Sequence, residues 1–213
     1  MATPIPEPGS PDAIRFERII DDLLARNFSR VEGFMPPGTT ERLRAELSDL
    51  YDRDRFKKAA VGNQFNEVVA REIRGDFIYW LHDVSALPAA REFVERTRVL
   101  AEYLNRTCYL GIADAEFHYA VYPEGAFYKR HLDAFRGDDR RRLSLVYYLN
   151  PADWQEADGG ELVIYRPTDT GEEKVIVTPE PGLLVLFESQ VLEHEVLPAR
   201  RERLSLTGWM KTR

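Results

Sequence analysis

The sequence predicts an α+β protein, with helices in the first half and a β-rich core in the second. Three observations carry that reading. Apolar residues before position 110 recur at helical spacing. After position 110 the pattern changes to short β-branched and aromatic runs, separated by proline, glycine and acidic turns, as in an all-β barrel or sandwich. Strand–helix–strand alternation and internal repeats are both missing, which argues against a dinucleotide-binding fold. At 213 residues the chain can bury one large core with a helical layer on it.

Taken in order, residues 1–11 hold four prolines and a glycine and read as a flexible tail. "PDAIRFERIIDDLLARNF" follows, with Ile14, Phe16, Ile19, Ile20, Leu23 and Leu24 spaced for an amphipathic helix. "PPGTTERLRAELSDLYDR" repeats the pattern, with Thr39 or Thr40 as cap ahead of Leu43, Leu47 and Leu50. Residues 53–73 are polar without a clean period and are expected to form a mobile loop. "AAREFVERTRVLAEYLNRTCY" reads as a third helix burying Phe93, Val94, Leu100 and Leu104. The strands expected after it are "AEFHYAVYP", "LSLVYYLN", "GELVIYRP", "EKVIVTP", "GLLVLFES", "HEVLPA" and "RLSLTGWM". The organisation is then a tail at 1–11, a helical support with a substrate-side loop at 12–110, and a β core at 111–213, the last two forming one structural unit.

Composition narrows the function. A formal net charge of −7 gives no general affinity for nucleic acid or an anionic membrane. Cys108 is the single cysteine, which excludes an intrachain disulfide and a thiolate zinc site. Apolar runs fall far short of a membrane span, and "MATPIPEPGSPDA" has neither the basic nor the apolar region of a signal peptide. A reducing, cytoplasmic setting is expected. Oligomeric state is not legible.

The chemistry centres on "FYKRHLDAF", where His131 and Asp133 stand two apart. In a strand, positions i and i+2 share a face, so the imidazole and carboxylate would project together. They form either an ordinary hydrogen-bonded pair or two ligands awaiting a third. His194, in "ESQVLEHEVLP", follows an apolar strand and can supply that third. Two imidazoles and one carboxylate with three open positions form the ligand set of non-haem Fe(II) oxygen chemistry, although zinc, manganese or nickel would also bind them. Arg203 opens the strand "RLSLTGW". Facing inward, its fork could clamp a dicarboxylate; facing outward, it is one more surface arginine beside Arg200 and Arg201. His82 reads as a surface or helix-capping residue. His118 should share a face with Ala120 and Tyr122 and so border the pocket as a supporting rather than ligating histidine. Tyr147 and Tyr148 are adjacent on one strand, so only one can face inward. Trp154, Phe187 and Trp209 read as packing.

The run "YPEGAFYKRHLDAF…RRLSLVYYLN…WQEADGGELVIY…PGLLVLFESQVLEHEVLPARRERLSLTGW" resembles the Fe(II)/2-oxoglutarate dioxygenases of the prolyl 4-hydroxylase type. The upstream segment "IRGDFIYW", Ile73 to Trp80, is similar to the hypoxia-factor type and its bacterial relatives. The resemblance implies a double-stranded β-helix (jelly-roll) core with supporting helices. It implies iron ligation by His131, Asp133 and His194, with 2-oxoglutarate and O2 as co-substrates and ascorbate as an accessory reductant. Arg203 would hold the distal carboxylate of 2-oxoglutarate with Tyr148, and Tyr122 and Thr207 would belong to the same pocket. Asp133 also separates the chain from related halogenases, which lack this carboxylate.

The implied reaction is hydroxylation of a prolyl residue in a protein or peptide, with 2-oxoglutarate converted to succinate and CO2. Arg74, Asp76, Arg140 and Arg141 are expected to shape substrate choice. The long polar loop before Arg74 favours a polypeptide substrate. The alternatives are a hydroxylase of a free amino acid or other small molecule, and a non-catalytic sensor that binds metal and 2-oxoglutarate.

Overall fold

The structure, a computed structural model, describes residues 5–59, 73–134 and 140–213. Helix α1 (Pro11–Arg26) starts with proline at its first position and the Ser10 hydroxyl accepting the Ala13 N–H. It ends on Asn27 in the left-handed region, whose N–H returns to the Leu23 carbonyl. Phe16, Ile19, Ile20 and Leu23 are buried as expected. Ile14 and Leu24 are not: they are 55% and 81% exposed. At about 100° per residue, Ile14 falls roughly 160° around the helix from Phe16 and Leu24 roughly 80°, off the buried stripe.

Helix α2 (Thr39–Asp52) buries Leu43, Leu47 and Leu50, but its cap is Gly38, not a threonine. Thr39 sits inside the first turn and bonds Glu92, while the Thr40 hydroxyl meets that of Tyr147. Helix α3 (Pro88–Cys108) buries Phe93, Leu100 and Leu104, with Val94 only partly covered. Its leading N–H groups, from Ala89 and Ala90, donate to the Glu46 carboxylate of α2, so a side chain from another helix replaces a local cap. His82 is exposed and stacks on Trp80; it caps nothing, since α3 begins six residues later.

Eleven strands are described, in two antiparallel sheets. In chain order they are β1 (Phe28–Val31), β2 (Lys57–Lys58), β3 (Phe77–Trp80), β4 (Asp114–Tyr122), β5 (Tyr128–His131), β6 (Arg141–Tyr148), β7 (Leu162–Thr168), β8 (Gly171–Val177), β9 (Leu184–Glu188), β10 (Glu193–Val196) and β11 (Arg203–Lys211). The larger sheet runs β1-β9-β6-β11-β4-β3-β2 and the smaller β5-β10-β7-β8. All seven strands expected after residue 110 are present. β1 and β3 were not anticipated as strands: four-residue segments are too short for a period to stand out. Of the expected loop at 53–73, residues 57–58 pair with β3 and residues 60–72 lie outside the described residues.

Alternation along the strands makes two cores. One face of the large sheet packs on the three helices through Phe117, Tyr119, Val121, Leu145, Tyr147, Leu204 and Leu206. The other faces the small sheet through Ala120, Tyr122, Val146, Tyr148, Leu162, Ile164, Val185 and Phe187. This is the expected α+β jelly roll: helices brace one sheet from behind, and the sandwich interior is left for a site.

Candidate functional site

A cavity of about 260 Å³ opens between the two sheets. Its large-sheet wall follows from register. Directly opposed residues on antiparallel neighbours point the same way, and Trp80, His118, Thr207 and Val146 form one such row across β3, β4, β11 and β6. The next row places Ile78, Ala120, Ser205 and Tyr148 together, and the row beyond pairs Tyr122 with Arg203. The same alternation turns Tyr147 to the helices and Tyr148 inward.

At one end of the cavity, ligand atoms of His131, Asp133 and His194 lie within 4.8 Å of one another. His131 and His194 are cross-strand partners on β5 and β10. Asp133 lies beyond the end of β5, so a turn, not strand alternation, brings its carboxylate round. The Nε2 atoms of His131 and His194 stand 3.5 Å and 3.6 Å from the two Asp133 oxygens. Each Nδ1 meets a main-chain carbonyl, Lys129 at 2.7 Å and Leu192 at 3.3 Å. A carbonyl only accepts, so Nδ1 carries the hydrogen and Nε2 turns its lone pair to the centre. Tyr128 stacks on the His131 ring at 3.6 Å, and Phe187 packs edge-on to His194.

Electrostatics suit a cation. Burial opposes the Asp133 charge, yet the two imidazoles and the Ser144 hydroxyl, donating at 2.7 Å, hold its carboxyl well below the usual range. Burial pushes His194 down to about 4, against the pull of Asp133. The Asp133 carboxylate and a neutral His194 imidazole therefore face each other at neutral pH, the protonation state in which these groups bind a divalent metal. Ser189 completes the support, its hydroxyl 2.8 Å from that of Ser144.

Deeper in, Arg203 is 1% exposed. Its Nε donates to the Gly160 carbonyl at 2.9 Å, and the guanidinium lies 5.0 Å from the ring centres of both Tyr122 and Tyr148. No acidic side chain pairs with it among the described residues. A buried guanidinium without an anion is costly unless a ligand supplies one. Tyr148 Oη is also buried without a hydrogen-bond partner, and Thr207 shares a 3.3 Å contact with the Ser205 hydroxyl. Gly160, at φ +73, leaves the room: a Cβ there would come within 3.0 Å of the Arg203 side chain. This cradle of donors fits a carboxylate, and the histidine–carboxylate cluster fits Fe(II).

At the mouth, Arg74 makes a bidentate pair with buried Asp76, at 2.7 and 2.6 Å, and lies over the Tyr128 ring. Arg141 lines the cavity too, 3.6 Å over Trp209, bonded to Glu116 and to the Asp133 carbonyl. Arg140 is exposed and Asp76 stands behind Arg74, so neither lines the cavity. Sequence reasoning missed Ser144, Ser189, Gly160 and Trp80. Of these, only the Gly159–Gly160 pair carried a sequence signal, a backbone site that tolerates no side chain.

The family model described as the 2OG-Fe(II) oxygenase superfamily matches residues 117–211, which contain both ends of this cavity. A solved prolyl-4-hydroxylase from Pseudomonas putida is 40% identical, with a TM-score of 0.82 over 93% of this chain and 99% of that one. The chain belongs to the 2OG-Fe(II) oxygenase superfamily. Within it, a prolyl hydroxylase from Trichoplax adhaerens, solved with a peptide fragment of the hypoxia inducible factor oxygen degradation domain, is 27% identical with a TM-score of 0.81, covering 92% of this chain and 88% of that one. Human Egl nine homolog 1 is 25% identical over 203 residues, 92% of this chain and 46% of its own length. The chain spans about half the length of the curated relatives it matches first. Among the described residues, no helix is long and apolar enough to cross a membrane.

Proposed function

We propose that this protein is an Fe(II)- and 2-oxoglutarate-dependent hydroxylase acting on a prolyl residue within a protein. The observation that carries the reading is the pairing, in one cavity, of the His131–Asp133–His194 cluster with the buried Arg203, with which no acidic side chain among the described residues pairs. The two Nε2 atoms and the Asp133 carboxylate would hold Fe(II). Arg203, with Tyr148, Tyr122 and Thr207 around it, would hold the distal carboxylate of 2-oxoglutarate. Iron, when bound with 2-oxoglutarate and O2, supplies the oxidising chemistry, yielding succinate, CO2 and a hydroxylated substrate.

The chain's own contribution is positional. The carbonyls of Lys129 and Leu192 fix both rings, Ser144 fixes the carboxylate, and the apolar walls from Val146, Leu162 and Val196 keep water off the reacting groups. Arg74 and Arg141 stand at the mouth where a substrate chain would enter, with Asp76 holding Arg74 in place; Arg140 lies further out. The prolyl reading is supported by the relatives named above, whose solved examples include a prolyl-4-hydroxylase and a prolyl hydroxylase with a peptide bound. Ascorbate as reductant, a cytoplasmic setting and one structural unit across residues 12–213 belong to the same reading.

The test is to incubate the protein with cell-lysate proteins, Fe(II), 2-oxoglutarate and oxygen, and to map added oxygen by peptide mass spectrometry. The expected result is 2-oxoglutarate-dependent gain of one oxygen on proline. Oxygen found only on free small molecules would move the substrate class, and 2-oxoglutarate binding without succinate formation would make the protein a sensor.

A further inference from the structure

Among the described residues, two buried nitrogens on side chains that line the cavity have no hydrogen-bond partner: Nδ1 of His118 and Nε1 of Trp209. His118 is 3% exposed, lines the cavity, and sits between the Trp80 ring at 4.9 Å and the Trp209 ring at 5.4 Å. Buried polar atoms in folded proteins are nearly always satisfied, so two orphans on residues that line one cavity, with rings 5.4 Å apart, call for a ligand. Burial and the Arg74 and Arg141 guanidinium charges push His118 down to about 3, so its ring is neutral and has one donor and one acceptor. That state excludes a carboxylate-pairing role and suits an uncharged polar group. The indole N–H only donates. An indole donor and an imidazole nitrogen that donates or accepts according to the tautomer, framed by two flat aromatic faces, are complementary to an amide flanked by an apolar ring.

We propose that His118 is a specificity-determining residue that hydrogen-bonds a backbone amide of the substrate chain next to the target residue, with Trp80 and Trp209 packing on either side. The proposal rests on the prolyl-hydroxylase reading. It explains why the wall is polar at this point. His118 stands opposite Thr207 and Trp80 in register, on the same row as apolar Val146, and packing alone would be met by any apolar side chain.

The experiment compares wild type with His118→Phe, His118→Leu and His118→Gln on a library of capped heptapeptides with a central proline and randomised flanks. Succinate release and mass gain are both measured. The expected result is a peptide KM raised about fivefold to tenfold in both apolar variants, the size of one lost neutral hydrogen bond. kcat should change less than twofold, KM for 2-oxoglutarate should hold within twofold, and Gln should restore most of the peptide KM. Two apolar replacements of different shape are used so that one poorly accommodated side chain does not decide the outcome. An unchanged peptide KM in the apolar variants, or no rescue by Gln, overturns the role of His118 while leaving the prolyl reading in place. A wild-type protein that releases succinate but hydroxylates no peptide overturns the prolyl reading and His118's role with it.

Discussion

The two ends of the cavity are built differently. The anchor end, around Arg203, sits on the long strands β4, β6 and β11 in the middle of the large sheet, with register fixed over nine residue pairs between β4 and β11. The metal end draws on the last residue of a four-residue strand, a turn beyond it, and a short strand of the small sheet. At the anchor end one positive charge waits for an anion. At the metal end three donors converge and need a cation between them. The large sheet places the first and one carbonyl, that of Gly160, fixes its Nε, whereas the second depends on carbonyl and hydroxyl contacts at every donor.

The largest effects should come from the metal end. His131→Ala, Asp133→Ala and His194→Ala should each abolish succinate formation, and a chelator should do the same reversibly, with activity returning on addition of Fe(II). Circular dichroism checks that the fold persists. Full turnover by Asp133→Ala would sink the ligand assignment.

Next comes the anchor. Arg203→Ala should raise the KM for 2-oxoglutarate at least thirtyfold, from a loss of about 2–5 kcal/mol when a buried carboxylate goes unpaired. Metal affinity should hold, which is what separates the two ends. Gly160→Ala should act in the same direction more mildly: the new methyl would press on Arg203 at 3.0 Å, from a backbone conformation that costs a side-chain-bearing residue about 1–2 kcal/mol. An Arg203→Ala variant with normal KM would mean that the dicarboxylate binds elsewhere.

How much of this was legible follows from the same comparison. Strand alternation is a sequence property, so a pattern gave that only one of Tyr147 and Tyr148 could face inward and that Thr207 shares a face with Arg203; which face is the interior came from the resemblance, not from the pattern. The closeness of His131 and Asp133 was also expected, but by the wrong route: β5 ends at His131, and a turn delivers the carboxylate. Turns have no period. The supports of the metal end, Ser144 and Ser189, come from positions 11 and 56 residues away from Asp133 along the chain, and nothing in a serine's neighbours announces such a contact. The helices show the same division. Their buried stripe was legible, while the Gly38 cap and the Glu46 carboxylate at the start of α3 are tertiary facts.

A mid-sized effect tests whether the metal end needs its supports. Ser144→Ala removes the donor to Asp133 Oδ2 and leaves the ligands in place. Loss of such an outer contact commonly lowers metal affinity about tenfold to hundredfold. Titration of the metal-free protein with Fe(II) or Mn(II) measures it, and KM for 2-oxoglutarate at saturating metal should stay put. Unchanged affinity would mean that the turn alone fixes Asp133.

The smallest effect belongs to the mouth, which serves neither end directly. Arg141 lies over Trp209 at 3.6 Å and donates to both Glu116 and the Asp133 carbonyl, so its flat fork joins the rim to the turn that carries a ligand. The Arg141 side chain is only 15% exposed, and stacking of such a guanidinium on an indole contributes about 1 kcal/mol. Arg141→Ala should therefore raise the KM for a peptide substrate only a few-fold, with metal affinity moved less than that. Lysine should not rescue, because a point charge cannot reproduce the planar fork over the ring. Arg140→Ala, one residue away and exposed, should stay within about 0.5 kcal/mol of wild type in stability and show no change in peptide KM. Peptide kinetics on the three variants decide the point. Equal effects at 140 and 141 would show that the mouth acts through bulk positive charge, and a large loss of metal in Arg141→Ala would show that the rim, not Ser144, is what holds the Asp133 turn.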